Sequence, residues 1–173
     1  MSEFLTTGSD VLDDLLGGGI ERGVVTQLYG PPASGKTNLA LTAAVEVAAA
    51  GGSILYIDTE DLSMTRFRDI AEARSEEAVE QVAGRLVVSE AMSFGEQGEA
   101  VKDASELADG VDLIVLDSAT GFYRLERTED SRGGESVREV ARHVTHLLSL
   151  ARKHDLAVIV TNQVFTDPDA DRD

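Results

Sequence analysis

Residues 30 to 37 read Gly30-Pro31-Pro32-Ala33-Ser34-Gly35-Lys36-Thr37, a G-x-x-x-x-G-K-T loop. Few segments constrain a fold so tightly. The glycines let the backbone curl until several N–H groups aim at one anion. Lys36 has the reach for the β- and γ-phosphates of a nucleotide, and the Thr37 hydroxyl is a ligand for Mg²⁺. The flanks fit the chemistry. Val24 to Tyr29 reads as a strand entering the loop, and Asn38 to Val45 as a helix leaving it. The positive end of that helix dipole adds to the anion site. ATP and Mg²⁺ are therefore the expected ligands, with Gly30, Pro31, Pro32, Ala33, Ser34, Gly35, Lys36 and Thr37 forming the cradle.

The rest of the chain repeats strand and helix. Gly51-Gly52 closes the first helix. Strands follow at Ser53–Asp58, Leu86–Ser89, Val111–Leu116 and Leu156–Thr161. Helices are predicted at 63–83 in one or two pieces, near 96–108, and over 137–153, where Val137, Val140, Ala141, Val144, Leu147, Leu148 and Ala151 keep helical spacing. Residues 118–136 are polar, contain Gly133-Gly134 and read as a loop. Almost continuously apolar strands alternating with helices define an α/β fold, a mostly parallel sheet covered by helices on both faces. No internal repeat or second domain is apparent, so residues 1–173 are expected to form a single ATPase core.

Composition narrows the setting. The chain has no cysteine, which excludes disulfides and thiolate metal sites. No apolar run reaches the length of a membrane span and no secretory signal precedes the fold, so a cytoplasmic protein without membrane contact is expected. The net charge of −17 is spread along the chain, and lysine occurs only at Lys36, Lys102 and Lys153. That pattern suits a cytoplasm of molar salt, where carboxylates stay hydrated and repulsion is screened within about 3 Å. It argues against nonspecific DNA binding by a broadly basic surface and leaves room for a local basic patch.

Three strand ends carry further candidates. Leu113 to Leu116 runs into Asp117, placed to hold Mg²⁺ directly or through water. Ile57-Asp58-Thr59-Glu60 ends another strand, and Glu60 is a candidate general base for the attacking water, with Asp58 in support. Thr161-Asn162-Gln163 ends the last strand. The Gln163 amide can donate to a γ-phosphate while accepting from a neighbour, and so report nucleotide state. His143 and His146, three apart on the last helix, read as a surface pair on its polar side.

Together these residues resemble the RecA superfamily. The segment Thr7 to Ile20, with Leu15-Leu16-Gly17-Gly18-Gly19-Ile20 at its end, is similar to the entry of the recombinase core. Asp58-Thr59-Glu60, Asp117-Ser118 and Thr161-Asn162-Gln163-Val164 match its later landmarks in order and spacing. The resemblance covers essentially the whole chain. It is nearer to the archaeal RadB family than to RadA, which carries a helical DNA-binding domain where Met1 to Thr6 stand here. The Phe-x-x-Ala polymerisation motif is also missing, since Phe4 is followed by Thr7 at the third position. The acidic surface points to a haloarchaeal member.

The resemblance implies a P-loop NTPase core of RecA type. It assigns Lys36, Glu60 and Gln163 to catalysis and switching, and Thr37 and Asp117 to the metal. It further implies weak ATP hydrolysis, DNA binding without strand exchange, and association with RadA recombinase and a Holliday junction nuclease. The loop 118–136 takes the place of the first DNA loop, where Arg124, Arg127 and Arg132 are the candidate contacts among Glu126, Glu129, Asp130 and Glu135. Phe122 and Tyr123 are candidates either for base stacking or for the core. In the family's sheet order, 5-1-4-3-2, a further strand pairs with the phosphate-loop strand. The core is therefore expected to lack its C-terminal strands, with residues 24–29 at an exposed edge. Two alternatives remain: a KaiC-like ATPase that forms rings, and a protein-interaction module that holds ATP without hydrolysing it.

Overall fold

A computed structural model describes residues 2–122 and 133–164. At its centre is a five-stranded parallel sheet. Its strands are β3 (Val25–Gly30), β4 (Ile54–Asp58), β5 (Leu86–Glu90), β6 (Leu113–Asp117) and β7 (Ala157–Gln163). In space the order is β3-β7-β6-β4-β5. The phosphate-loop strand thus leads, through its helix, to a strand three places away, and the chain later returns to fill the gap. Every residue of β4 and of β6 is buried. Their sequences, apolar up to the terminal Asp58 and Asp117 apart from the Tyr56 hydroxyl, reflect this, because both of their faces are covered. Strand β3 pairs only with β7 among the described residues, and its side chains alternate between half-buried and exposed.

Two helical layers cover the sheet. On one face lie α2 (Lys36–Ala49), α3 (Met64–Arg74) and α4 (Val79–Ala83), enclosing Leu41, Val45, Tyr56, Phe67, Leu113 and Ile159. On the other lie α5 (Phe94–Leu107) and α6 (Gly133–His154), enclosing Leu55, Ile57, Val101, Ile114, Leu147 and Val158. The sheet side chains divide by parity, as period-two alternation requires. Helix α5 begins with a reciprocal cap. The Ser93 hydroxyl accepts from the Glu96 N–H, and the Glu96 carboxylate accepts from the Met92 N–H.

Several boundaries differ from the sequence reading. The 63–83 segment is two helices, broken at Ser75 to Ala78. Helix α6 starts at Gly133, inside the stretch read as a loop. The glycine pair is tolerated in a first turn, where backbone freedom costs least and the amphipathic face that follows holds the helix down. A two-residue antiparallel pair, β1 (Phe4–Leu5) with β2 (Ile20–Glu21), closes a short helix α1 (Asp10–Leu15) into a flap. So short a pairing leaves no periodic signal in the sequence. Arg22 ties the flap to the sheet, donating to Asp112 at 2.9 Å and to the Asp155 carbonyl at 2.8 Å.

Candidate functional site: a phosphate cleft at the strand ends

The parallel register brings the candidate residues together. Gly30 lies opposite Gln163, and Asp58 opposite Asp117, so four strands end in one row of polar groups. Above that row the phosphate loop turns into α2. Gly35 is the N-cap at φ +93°, a left-handed conformation that a side chain would strain. No side chain caps the helix, so the first-turn amides face the cleft. Lys36 lies back across the loop and donates to the carbonyls of Gly30 (3.0 Å) and Pro31 (2.7 Å) and to the Ser34 hydroxyl (3.2 Å). The cleft measures about 370 Å³ and is lined by Ala33 to Asn38, Glu60, Arg66, Asp117, Ser118, Thr161 and Gln163.

Asp117 is the hub. It is 2 % exposed, and three hydroxyls converge on it. Thr37 Oγ1 donates to Oδ1 at 3.2 Å, Thr161 Oγ1 to the same oxygen at 2.6 Å, and the Tyr56 hydroxyl to Oδ2 at 2.8 Å. These bonds offset the cost of burying the carboxylate. Burial first, and the Asp117 charge second, push the Tyr56 hydroxyl well above the ordinary phenol range, so it remains a donor.

The second carboxylate is held differently. Asp58 accepts from the N–H groups of Glu60 (2.9 Å) and Leu62 (2.7 Å), folding the strand end into a turn. Its support of the site is thus through the backbone. That turn presents Glu60 to the cleft, where the Ser118 hydroxyl donates to Oε1 at 2.7 Å. Ser118 is fixed in turn by Thr59, whose Oγ1 accepts from the Ser118 N–H at 2.8 Å. Gly121 packs against this pair. A Cβ there would stand 3.2 Å from both Glu60 Oε1 and Ser118 Oγ. At the end of β7, the Thr120 hydroxyl donates to Asn162 Oδ1 at 2.9 Å and accepts from the Gln163 N–H at 3.3 Å. The segment after Asp117 is thereby coupled to Gln163.

Lys36, Thr37, Glu60, Asp117 and Gln163 therefore share one cleft. Arg124, Arg127 and Arg132 lie outside the described residues, as does Tyr123. Sequence reading missed Tyr56, Thr161, Ser118 and Arg66. Tyr56 carried a signal: a hydroxyl flanked by buried apolar residues in a strand needs a buried partner. Arg66, in the first turn of α3, carried none. His143 corrects the surface reading. It is 4 % exposed, packed against Phe94 with the rings tilted by 50° and their centroids 5.5 Å apart, and bonded to Gln97. Gly98 makes room for it, since a Cβ there would lie 3.1 Å from His143 Nε2. His146 is half-buried against Ser105.

The donor set fits magnesium. Among the described residues no three carboxylates or imidazoles converge into a protein cage. One buried carboxylate beside one hydroxyl, facing a phosphate loop, is the arrangement expected where the nucleotide and water supply the remaining oxygens.

A parallel sheet ending in a phosphate loop, a buried aspartate and a glutamate across one cleft defines a RecA-type P-loop fold. Comparison with known proteins is specific about the branch. The Rad51 family model matches residues 3–173. A protein described as DNA repair and recombination protein RadB, from Halobacterium salinarum, is 60 % identical over 169 residues, covering 98 % of this chain and 71 % of its own length. RadB proteins of Methanoculleus marisnigri and Archaeoglobus fulgidus are 45 % and 41 % identical, covering 97 % and 94 % of this chain and 74 % and 72 % of their own lengths. The chain belongs to the Rad51 family, in its RadB branch. Members of that family are in general ATPases that use Mg²⁺, and ATP and DNA binding are typical of them. No described helix is long and apolar enough to cross a membrane.

Proposed function

We propose that the chain binds ATP in this cleft, hydrolyses it slowly, and acts as an accessory factor in recombinational DNA repair without exchanging strands itself. One observation carries the reading. Thr37 Oγ1 and Asp117 Oδ1 meet at 3.2 Å in the same cleft that holds Lys36 and Glu60.

Lys36 exchanges its bonds to the Gly30 and Pro31 carbonyls for the β- and γ-phosphate oxygens. The first-turn amides of α2 take the remaining phosphate oxygens. Thr37 and Asp117 would hold Mg²⁺, which supplies charge neutralisation on the phosphates when bound. Glu60, aimed by Ser118, orients a water toward the γ-phosphorus and takes its proton as the new P–O bond forms and the bond to the ADP oxygen breaks. Gln163 follows the γ-phosphate, and Thr120 passes its position to the segment after Asp117. Arg124, Arg127 and Arg132 are proposed to contact DNA, and RadA recombinase and a Holliday junction nuclease are proposed partners.

The test is ATP binding and turnover in about 2 M KCl, where the acidic surface is screened, with and without single-stranded DNA. The expected result is measurable ATP binding with slow turnover that DNA does not change. Lys36→Ala should remove binding, and Glu60→Gln should keep binding and lose turnover. Turnover strongly stimulated by DNA would mark a working recombinase motor and overturn the accessory reading.

A further inference from the structure

The outer face of α6 departs from the rest of the molecule in charge. The chain has 15 Lys and Arg against 32 Asp and Glu. Helix α6 has four of the cations (Arg138, Arg142, Arg152 and Lys153), only two acids (Glu135 and Glu139) and all three histidines. Its apolar side is spent on the core through Leu147, Leu150 and Ala151, so the cations stand on the solvent side. Two shallow grooves run along that side, of about 590 and 420 Å³. They share Thr145 and Ser149 and so form one strip, with Arg138 and Arg142 toward one end and Arg152 and Lys153 at the other. The only carboxylate between them in sequence, Glu139, is drawn into a bond with Arg142 at 2.7 Å, and that arginine is still 72 % exposed.

We infer that this strip is a second nucleic-acid surface, one that takes the phosphate backbone of duplex DNA. The inference rests on the reading that the chain acts on DNA. Residues 138 to 153 span about 22 Å of helix, comparable to about six phosphates along one strand at 3.4 Å each. Three of the four cations are arginine, whose planar fork makes paired bonds to phosphate oxygens. Such bonds act at contact distance, where screening by concentrated salt is weakest. Thr145 and Ser149 add hydroxyls of the kind that also contact phosphates. The strip holds no Phe, Tyr, Trp or Met. His146, half-buried against Ser105, is its single ring, so it offers no exposed platform of rings for unpaired bases, and it lacks the Trp and Tyr anchors of a protein-binding surface. An acidic protein segment is therefore the weaker fit.

The experiment measures binding of the full chain to a random-sequence duplex and to single-stranded DNA across a KCl series. It compares the unaltered chain, the Arg138→Gln/Arg142→Gln/Arg152→Gln/Lys153→Gln variant and its Arg→Lys counterpart. All four side chains are exposed, so equal melting temperatures and equal ATP affinity verify the fold. The expected result is a loss of duplex affinity of at least tenfold in the glutamine variant. The slope of log affinity against log salt should also fall by about one for each phosphate contact removed, and the lysine variant should restore the slope. Duplex binding with unchanged affinity and slope overturns the strip and leaves the proposed function standing. Binding to single strands but not to duplex does the same. Unchanged duplex binding together with lost co-elution of an acidic recombinase would assign the strip to a protein and overturn the proposal. Absence of any DNA binding by the unaltered chain would overturn both the strip and the DNA part of the proposed function.

Discussion

Two buried polar clusters flank the segment that follows β6, and they are built to different standards. On one side, both oxygens of Asp117 are satisfied by the hydroxyls of Thr37, Tyr56 and Thr161. On the other, the Gln97 amide donates to the Ala119 carbonyl and to His143 Nδ1, both at 3.2 Å, while Gln97 Oε1 and His143 Nε2 have no hydrogen-bond partner among the described residues. Glu139 Oε1 comes no nearer than 3.7 Å to that nitrogen. A satisfied network in a low-dielectric interior holds one geometry, whereas a half-satisfied one costs free energy. The satisfied cluster sits in the cleft proposed to bind phosphates, where fixed oxygens would be needed. The unsatisfied one sits against the carbonyl of Ala119, and its unmet groups lower what it contributes to stability.

Three measurements would sharpen or break this contrast. The largest effect is expected at the satisfied cluster. Tyr56→Phe leaves one oxygen of a buried carboxylate without its donor and should cost about 1.5–3 kcal/mol in chemical denaturation. A cost near zero would show that the Asp117 network is not the rigid member of the pair. Gln97→Met comes next. It removes the orphan carbonyl oxygen as well as two bonds, so the losses partly cancel, and about 0–1.5 kcal/mol is expected. A larger loss than Tyr56→Phe would invert the comparison.

The smallest effect concerns pH. Burial holds the His143 imidazole below its ordinary value of 6.5, against the opposing pull of Glu139, while Lys102 and His146 push the same way as burial. The unfolded chain therefore binds a proton near pH 6.5 that the folded chain refuses. Stability is full above that pH and declines as pH falls through the folded value. The melting temperature of the unaltered chain should drop from pH 7.5 to 5.5, and His143→Gln should flatten that slope. Parallel slopes in the two proteins would show that His143 titrates as if in water.

The parts of this molecule that could be read from sequence share a physical character. The phosphate loop was legible because its chemistry is local. Eight consecutive residues carry the glycines, the lysine and the hydroxyl, and the strand before and helix after follow from simple periodicity. The strands β4 and β6 were legible because burial on both faces leaves them apolar up to their terminal aspartates, with Tyr56 the one interior hydroxyl. Asp117, Glu60 and Gln163 were legible as polar residues ending such runs.

The partners of those residues were not. That Tyr56 points at Asp117, and that Ser118 holds Glu60, depends on register: Asp58 aligned with Asp117 across β4 and β6. Shifting one strand by a residue would turn each of these side chains to the opposite face. His143 fell on the polar side of its own helix by spacing, yet α5 presents Gly98 and Gln97 there and buries it. The cationic strip of α6 needed both kinds of information. Its arginines are plain in the sequence, but only the packing of Leu147, Leu150 and Ala151 against the sheet decides that they share one open face. Sequence by itself determined which local chemistry is present and which segments must be covered. Tertiary structure decided which groups meet, because contacts between distant residues are set by strand order, register and helix packing.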